Sequence, residues 1–98
     1  MSGPERKIEE QIIAALEEIG FLVEWLVMRG ERGWPDLTIM QGGLAMFLEI
    51  KKPGGRASAQ QLQKQKQLAK FGMTMLIVDN VETAVNEVVA WFDERSGR

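Results

Sequence analysis

Two glycines in succession, Gly42-Gly43, stand between two short β-prone runs, residues 36–40 and 44–51. A Gly pair in that position supplies the left-handed backbone a tight hairpin needs, so the runs are expected to pair antiparallel across 41–43. In the second run Leu44, Met46, Leu48 and Ile50 fall on one face, and Ala45, Phe47, Glu49 and Lys51 on the other. A hairpin sets the start of its first strand beside the end of its second. Asp36, directly after Pro35, is therefore expected beside Glu49 and Lys51.

The rest of the chain must close around that hairpin. Residues 4–20 read as a helix, with Ile8, Ile12, Leu16 and Ile19 on one face, Pro4 in the first turn and Gly20 as the stop. Residues 21–28 are apolar and short, a strand; residues 29–34 are a loop. Residues 52–57 hold Pro53-Gly54-Gly55 and form a second loop. Residues 58–71 read as a helix, with Ser58 as N-cap, Leu62 and Leu68 as apolar contacts and Gly72 as the stop. Residues 73–78 form a strand. A last helix follows, with Asp79 as its expected cap, and residues 95–98 read as a frayed tail. The order is αβββαβα. The unit 44–51, 58–71, 73–78 is a crossover that makes a parallel strand pair. The expected fold is α/β, a small mixed β-sheet flanked by helices.

At 98 residues the chain suits a single domain, 1–98. No apolar run is long enough for a membrane span, and residues 1–7 are polar and lead into no signal-peptide stretch, so a cytoplasmic protein is expected. The sequence has no Cys, His or Tyr. Thiolate nucleophiles, Cys-type zinc sites, Ser-His-Asp triads, His-based metallohydrolases and tyrosine recombinases are excluded. What remains for chemistry is carboxylates, Lys, Arg, Gln, Ser and Thr. That inventory suits hard cations such as Mg²⁺ or Mn²⁺. The net charge of −2 conceals an uneven distribution. Residues 28–78 carry eight bases and three acids, between flanks in which acids dominate, and residues 50–78 hold no acid at all.

Asp36, Glu49 and Lys51 are the charged residues an ordinary sheet would not bring together. Two close carboxylates repel unless a cation or proton lies between them. A divalent ion held by both, with the backbone carbonyl of Ile50 as a further ligand, resolves the conflict and would activate water and polarise a phosphate oxygen. Lys51 would hold or help deprotonate the water and stabilise transition-state charge. This describes phosphodiester hydrolysis without histidine. Lys52 and Arg56 in the loop that follows, and Arg29 and Arg32 before Pro35, are candidate phosphate contacts. Lys64 is counted with them, although Lys64, Lys66 and Lys70 read equally as a solvated helix face.

Twelve residues separate Asp36 from Glu49-Ile50-Lys51. The set resembles the PD-(D/E)xK nuclease superfamily. The runs Arg32-Gly33-Trp34-Pro35-Asp36, Phe47-Leu48-Glu49-Ile50-Lys51-Lys52-Pro53-Gly54 and Ser58-Ala59-Gln60-Gln61 resemble its virus-type replication-repair nuclease (VRR-NUC) family. The resemblance spans nearly the whole chain. It implies a restriction-endonuclease-like core. It implies Asp36 and Glu49 as metal ligands, Lys51 as catalytic lysine and Gln61 as the glutamine that orients water or phosphate. The family's first-helix glutamate matches Glu9, with Glu10 adjacent, and Glu9 is a further candidate ligand. Ser58-x-x-Gln61 is also a capping box, a local reason for the same residue. Trp34 stands at a variable position and either stacks on nucleic acid or packs in the core. Ala59 replaces a frequent Pro. The implied activity is that of a Mg²⁺-dependent DNA endonuclease, with Mn²⁺ as a substitute. The implied substrate is branched DNA such as Holliday junctions, cut by a homodimer in a bacterial or phage-infected cell. A flap or 5′-end nuclease, a non-catalytic nucleic-acid-binding module and a domain with no nucleic-acid role are the alternatives.

Overall fold

The computed structural model describes residues 3–97. The elements are α1 (Pro4–Glu18), β1 (Leu22–Trp25), β2 (Leu37–Gln41), β3 (Leu44–Ile50), α2 (Ala59–Lys70), β4 (Met75–Val78) and α3 (Val81–Arg95). The expected order is the observed one, and the fold is α/β. The four strands form one sheet in the order β1-β2-β3-β4, antiparallel except for the parallel β3–β4 pair. No described helix is long and apolar enough to cross a membrane.

The hairpin turn consists of Gly42 and Gly43 alone, at φ 59° and 82°. Positive φ at both central residues is the type I′ geometry, whose twist matches that of paired strands. Gln41 belongs to β2, so the register runs from Gln41 opposite Leu44 to Leu37 opposite Leu48. Asp36 precedes β2 rather than opening it, but its N–H still donates to Leu48 O at 3.1 Å. Lys51 likewise lies one residue past β3, and its N–H donates to Val78 O at 2.8 Å.

Alternation along β3 divides the molecule into two layers. Met46, Leu48 and Ile50 join Ile12 and Leu16 of α1 and Ala84, Val88 and Phe92 of α3 in one buried cluster. Glu49 lies on the opposite face, where α2 packs.

Some expectations are corrected. The strand expected over 21–28 stops at Trp25, because its partner β2 begins at Leu37 and Pro35 has no N–H to extend the ladder. Val27 and Met28 are left exposed. Leu68 is buried, but Leu62 is exposed. The cap of α3 is Asn80, whose Oδ1 accepts from Thr83 N at 2.8 Å. Asp79 instead accepts from Gly54 N at 2.9 Å, tying down the 52–57 loop, and from Asn80 Nδ2 at 3.0 Å, and these two hydrogen bonds hold its pKa below the usual carboxylate value. The tail at 95–97 is partly ordered: Arg95 belongs to α3, and Ser96 N donates to Phe92 O. Arg98, Met1 and Ser2, parts of the expected polar ends, lie outside the described residues.

One glycine is required by packing as well as conformation. Gly33 has φ 95°, and a Cβ there would stand 2.5 Å from the Gln60 carbonyl oxygen in the first turn of α2. Gly33→Ala is therefore expected to cost about 2–3 kcal/mol, from left-handed strain plus the displaced contact. A denaturant midpoint lowered accordingly would show it. An unchanged midpoint would mean the 26–36 segment does not rest on α2.

Candidate active site

Asp36 is held from three sides. Its N–H is taken by Leu48 O, its own carbonyl accepts from Leu26 N at 2.9 Å, and its Oδ2 accepts from Ile50 N at 2.9 Å. The side chain is fixed by the same strand pair that delivers Glu49. Glu49 is 3 % exposed. Its Oε2 receives Lys51 Nζ at 3.1 Å and Gln61 Nε2 at 2.8 Å. Gln61 also completes the capping box of α2, with Oε1 accepting from Ser58 N and its N–H donating to Ser58 Oγ. The local and functional readings of this glutamine thus hold together: capping fixes the backbone and carbonyl end, leaving the amide nitrogen for Glu49.

Glu9 and Glu10 separate cleanly. Glu10 is exposed and paired with Arg6 at 3.0 Å, whereas Glu9 is fully buried. Neither carboxylate oxygen of Glu9, nor Oε1 of Glu49, has a hydrogen-bond partner. Burial pushes Glu9 up to about 7, with the charge of Asp36 adding to it, Arg6 opposing and Glu49 adding further. Glu49 is likewise raised to about 7 by burial and by Asp36, against the opposing pull of Lys51 and Gln61. Asp36 is raised by burial, with the Ile50 amide and Lys51 opposing. Three acids whose charged forms are disfavoured converge on one end of the sheet.

Orphaned, buried carboxylate oxygens are costly in a metal-free protein and are what a hard cation would satisfy. Among the described residues, no three acids are already drawn into one ligating cluster. The residues fit an ion held by Asp36, Glu49 and the Ile50 carbonyl and completed by water, as Mg²⁺ is commonly bound. Glu9 stands beside that set as an electrostatic neighbour.

The basic candidates are placed unevenly. Lys52 and Arg56 are exposed in the loop after β3, and Arg29 and Arg32 are exposed before Pro35. Lys64 is not presented as a phosphate contact. It is 3 % exposed, with Nζ 2.8 Å from Glu31 Oε1 and 2.6 Å from Gln67 Oε1, over the Trp34 ring at 4.4 Å. Trp34 is thus engaged in packing the loop on α2. Sequence reasoning missed this clamp and the Asp79 tether, since both join segments far apart in the chain.

An aspartate at the head of one strand of a hairpin, with Glu-x-Lys at the end of its partner, on a mixed sheet between helices, defines a restriction-endonuclease-like core of the PD-(D/E)xK class. The sequence matches no family model. "Putative nuclease p44" of Acyrthosiphon pisum secondary endosymbiont phage 1 is 30 % identical over 77 residues, covering 78 % of this chain and 83 % of that protein. A solved structure of a VRR_NUC domain superposes with TM-score 0.80 at 22 % identity, over 89 % of this chain and 96 % of that one. A second, a VRR_NUC domain protein, gives TM-score 0.74 at 18 % identity, over 90 % and 87 % of the two chains. The chain belongs to the VRR-NUC family.

Proposed function

We propose that this protein is a divalent-metal-dependent DNA endonuclease that hydrolyses phosphodiester bonds in branched DNA such as four-way junctions, with residues 1–98 forming one catalytic domain. The observation that carries the reading is the meeting of Asp36, Glu49 and Lys51 at one end of the sheet, with a buried carboxylate oxygen left unpartnered. The phage relative named "Putative nuclease p44" supports it. A phage or host cytoplasm fits the same relative.

Asp36 and Glu49 would hold Mg²⁺, or Mn²⁺ in its place, with the Ile50 carbonyl. When bound, such an ion supplies charge at the phosphate oxygens and lowers the pKa of water. The chain's own residues do the rest. The Ile50 amide fixes one oxygen of Asp36, and Gln61 fixes one oxygen of Glu49. Lys51, 16 % exposed, carries its ammonium at the mouth of the cluster, where it orients water and stabilises negative charge on the reacting phosphate. Lys52 and Arg56 in the loop after β3, and Arg29 and Arg32 before Pro35, would contact phosphates of the bound DNA.

A junction has two strands to cut, and one chain has one such cluster, so the working form is a homodimer. Support comes from the sheet edge. Around β1, Leu22, Trp25, Val27 and Met28 are 54, 53, 85 and 45 % exposed, and β1 offers an unpaired backbone edge. Light scattering at micromolar concentration is expected to give about twice the 11.0 kDa chain mass, and Trp25→Glu the single mass. A monomeric wild type would remove the dimer from the proposal.

The decisive experiment is cleavage of labelled four-way junction, flap, nicked and linear DNA with Mg²⁺, beside Lys51→Ala. Preferred cutting of the junction supports the full reading. Preference for flaps or ends changes the substrate only. Binding without cutting would reduce the protein to a non-catalytic module, and neither binding nor cutting would end the nucleic-acid reading.

A further inference from the structure

Beside the catalytic cluster lies an open groove of about 1050 Å³ between α2 and the segment that precedes Trp34. Arg32, Gln60, Gln63, Lys66, Gln67 and Lys70 line it. Its character comes from α2, which has five glutamines, three lysines and no acid. One carboxylate, Glu31, reaches the wall, and Lys64 already takes it up at 2.8 Å. Arg32, Lys66 and Lys70 are exposed, and no described side chain pairs with them. The groove is therefore positive and lined with neutral amides that can donate and accept hydrogen bonds.

Its floor is firm. Gly33 sits against the Gln60 carbonyl, and Lys64 beneath the surface is held by Trp34, Glu31 and Gln67. The one buried lysine of α2 thus fastens the wall and leaves the exposed ones unencumbered. One end of the groove is formed by Ala59 and Gln60 in the first turn of α2, next in the chain to Gln61, which touches Glu49 at 2.8 Å. From Gln61 to Lys70 the helix advances about 14 Å. That is roughly the axial length of four base pairs of DNA. Lys66 and Lys70 are one turn apart, about 6 Å along the axis, and face the same way.

We propose that this groove is a second nucleic-acid-binding site, one that holds the backbone of the DNA arm leading away from the scissile phosphate. Arg32, Lys66 and Lys70 contact its phosphates. Gln60, Gln63 and Gln67 supply hydrogen bonds that do not discriminate sequence. The inference rests on the nuclease reading of the neighbouring cluster and adds to it a requirement for substrate length. A mixed-charge surface helix would give neither.

The test compares wild type with Lys66→Gln/Lys70→Gln, a pair that keeps helix propensity and matches the neighbouring side chains. Binding of labelled junction DNA is followed by fluorescence anisotropy over a salt series, with Ca²⁺ in place of Mg²⁺ so that the DNA stays intact. The double variant is expected to lower the slope of log affinity against log salt by about two, since each phosphate contact contributes about 0.9. In Mg²⁺ the loss appears chiefly as a raised KM. Trimming one arm below about four base pairs should weaken wild-type binding, and the double variant should lose little more on the same trimming. A double variant with wild-type slope and KM, its thermal midpoint unchanged, would overturn the groove while leaving the nuclease reading intact. A wild type that neither binds nor cuts DNA overturns both.

Discussion

Replacing Lys51 with Ala is expected to lower the rate of DNA cleavage by about 10³-fold while leaving substrate binding largely in place. The ammonium is 3.1 Å from Glu49 Oε2 and partly open to solvent. In the proposed reaction it would face a phosphate gaining negative charge, so its contribution would grow toward the transition state. Loss of it should appear in kcat more than in KM. Lys51→Arg separates two roles: it keeps a cation but cannot give up a proton near neutral pH. Partial rescue by Arg would assign Lys51 to charge stabilisation, and none would assign it to proton transfer or to a point-charge geometry. Glu49→Gln should be as severe, because it removes the charge of the proposed metal ligand while keeping its shape. Gln61→Ala should be milder, about tenfold in rate, and should also cost roughly 1 kcal/mol through the lost capping box. Single-turnover cleavage of a labelled junction measures all four. Wild-type cutting by Lys51→Ala would remove the lysine from the chemistry.

Stability should respond to pH in the direction opposite to that of most acid-rich proteins. Glu9 and Glu49 titrate near pH 7 in the folded, metal-free chain, against an ordinary 4.5. Between those values the folded state binds more protons than the unfolded one. The slope of unfolding free energy with pH is then negative. The contribution is complete below about pH 4.5 and is lost as pH rises through about 7. At about 1.4 kcal/mol per pKa unit, a rise from 4.5 to about 7 is worth about 3 kcal/mol for one such group, and the pair loses at least that much. In a domain of this size that corresponds to roughly 10–20 °C in Tm. Thermal unfolding in EDTA should therefore give a lower Tm at pH 8 than at pH 5.5. Glu9→Gln should flatten the profile and raise Tm at pH 8. Mg²⁺ should restore stability at pH 8, since it binds the deprotonated carboxylates of the folded state only. A metal-free Tm that rises from pH 5.5 to 8 would show that these acids are not held as the structure has them.

Both predictions depend on residues the sequence makes legible to different degrees. Asp36, Glu49 and Lys51 are readable because a Gly-Gly turn and strict alternation bring the two strand ends together, even though the turn is Gly42-Gly43 alone and not the 41–43 expected. The hairpin is local, and a shift of one residue would turn Leu48 outward and Glu49 into the core. Gln61 is readable as a cap for the same local reason. Its second bond, to Glu49, requires knowing how α2 settles on the sheet. Glu9 and Glu10 are alike in type, but periodicity sets Glu9 near the edge of the apolar face of Ile8 and Ile12, and that much is legible. The rotation of α1 against α3 and the sheet buries one and leaves the other with Arg6.

Lys64 shows the limit most sharply. In sequence it is one of three lysines on an acid-free helix. In the fold it is the one buried, because the 26–36 segment crosses α2 there, bringing Trp34 over its ammonium and Glu31 beside it. The absence of His, Cys and Tyr, the hairpin and the carboxylate–lysine chemistry follow from the sequence alone, because composition and short-range pairing need no tertiary information. How completely Glu9 is buried, which lysine is spent on packing and which are left free for a ligand were decided only by the tertiary structure. Those outcomes depend on contacts between segments tens of residues apart, and no local pattern encodes them.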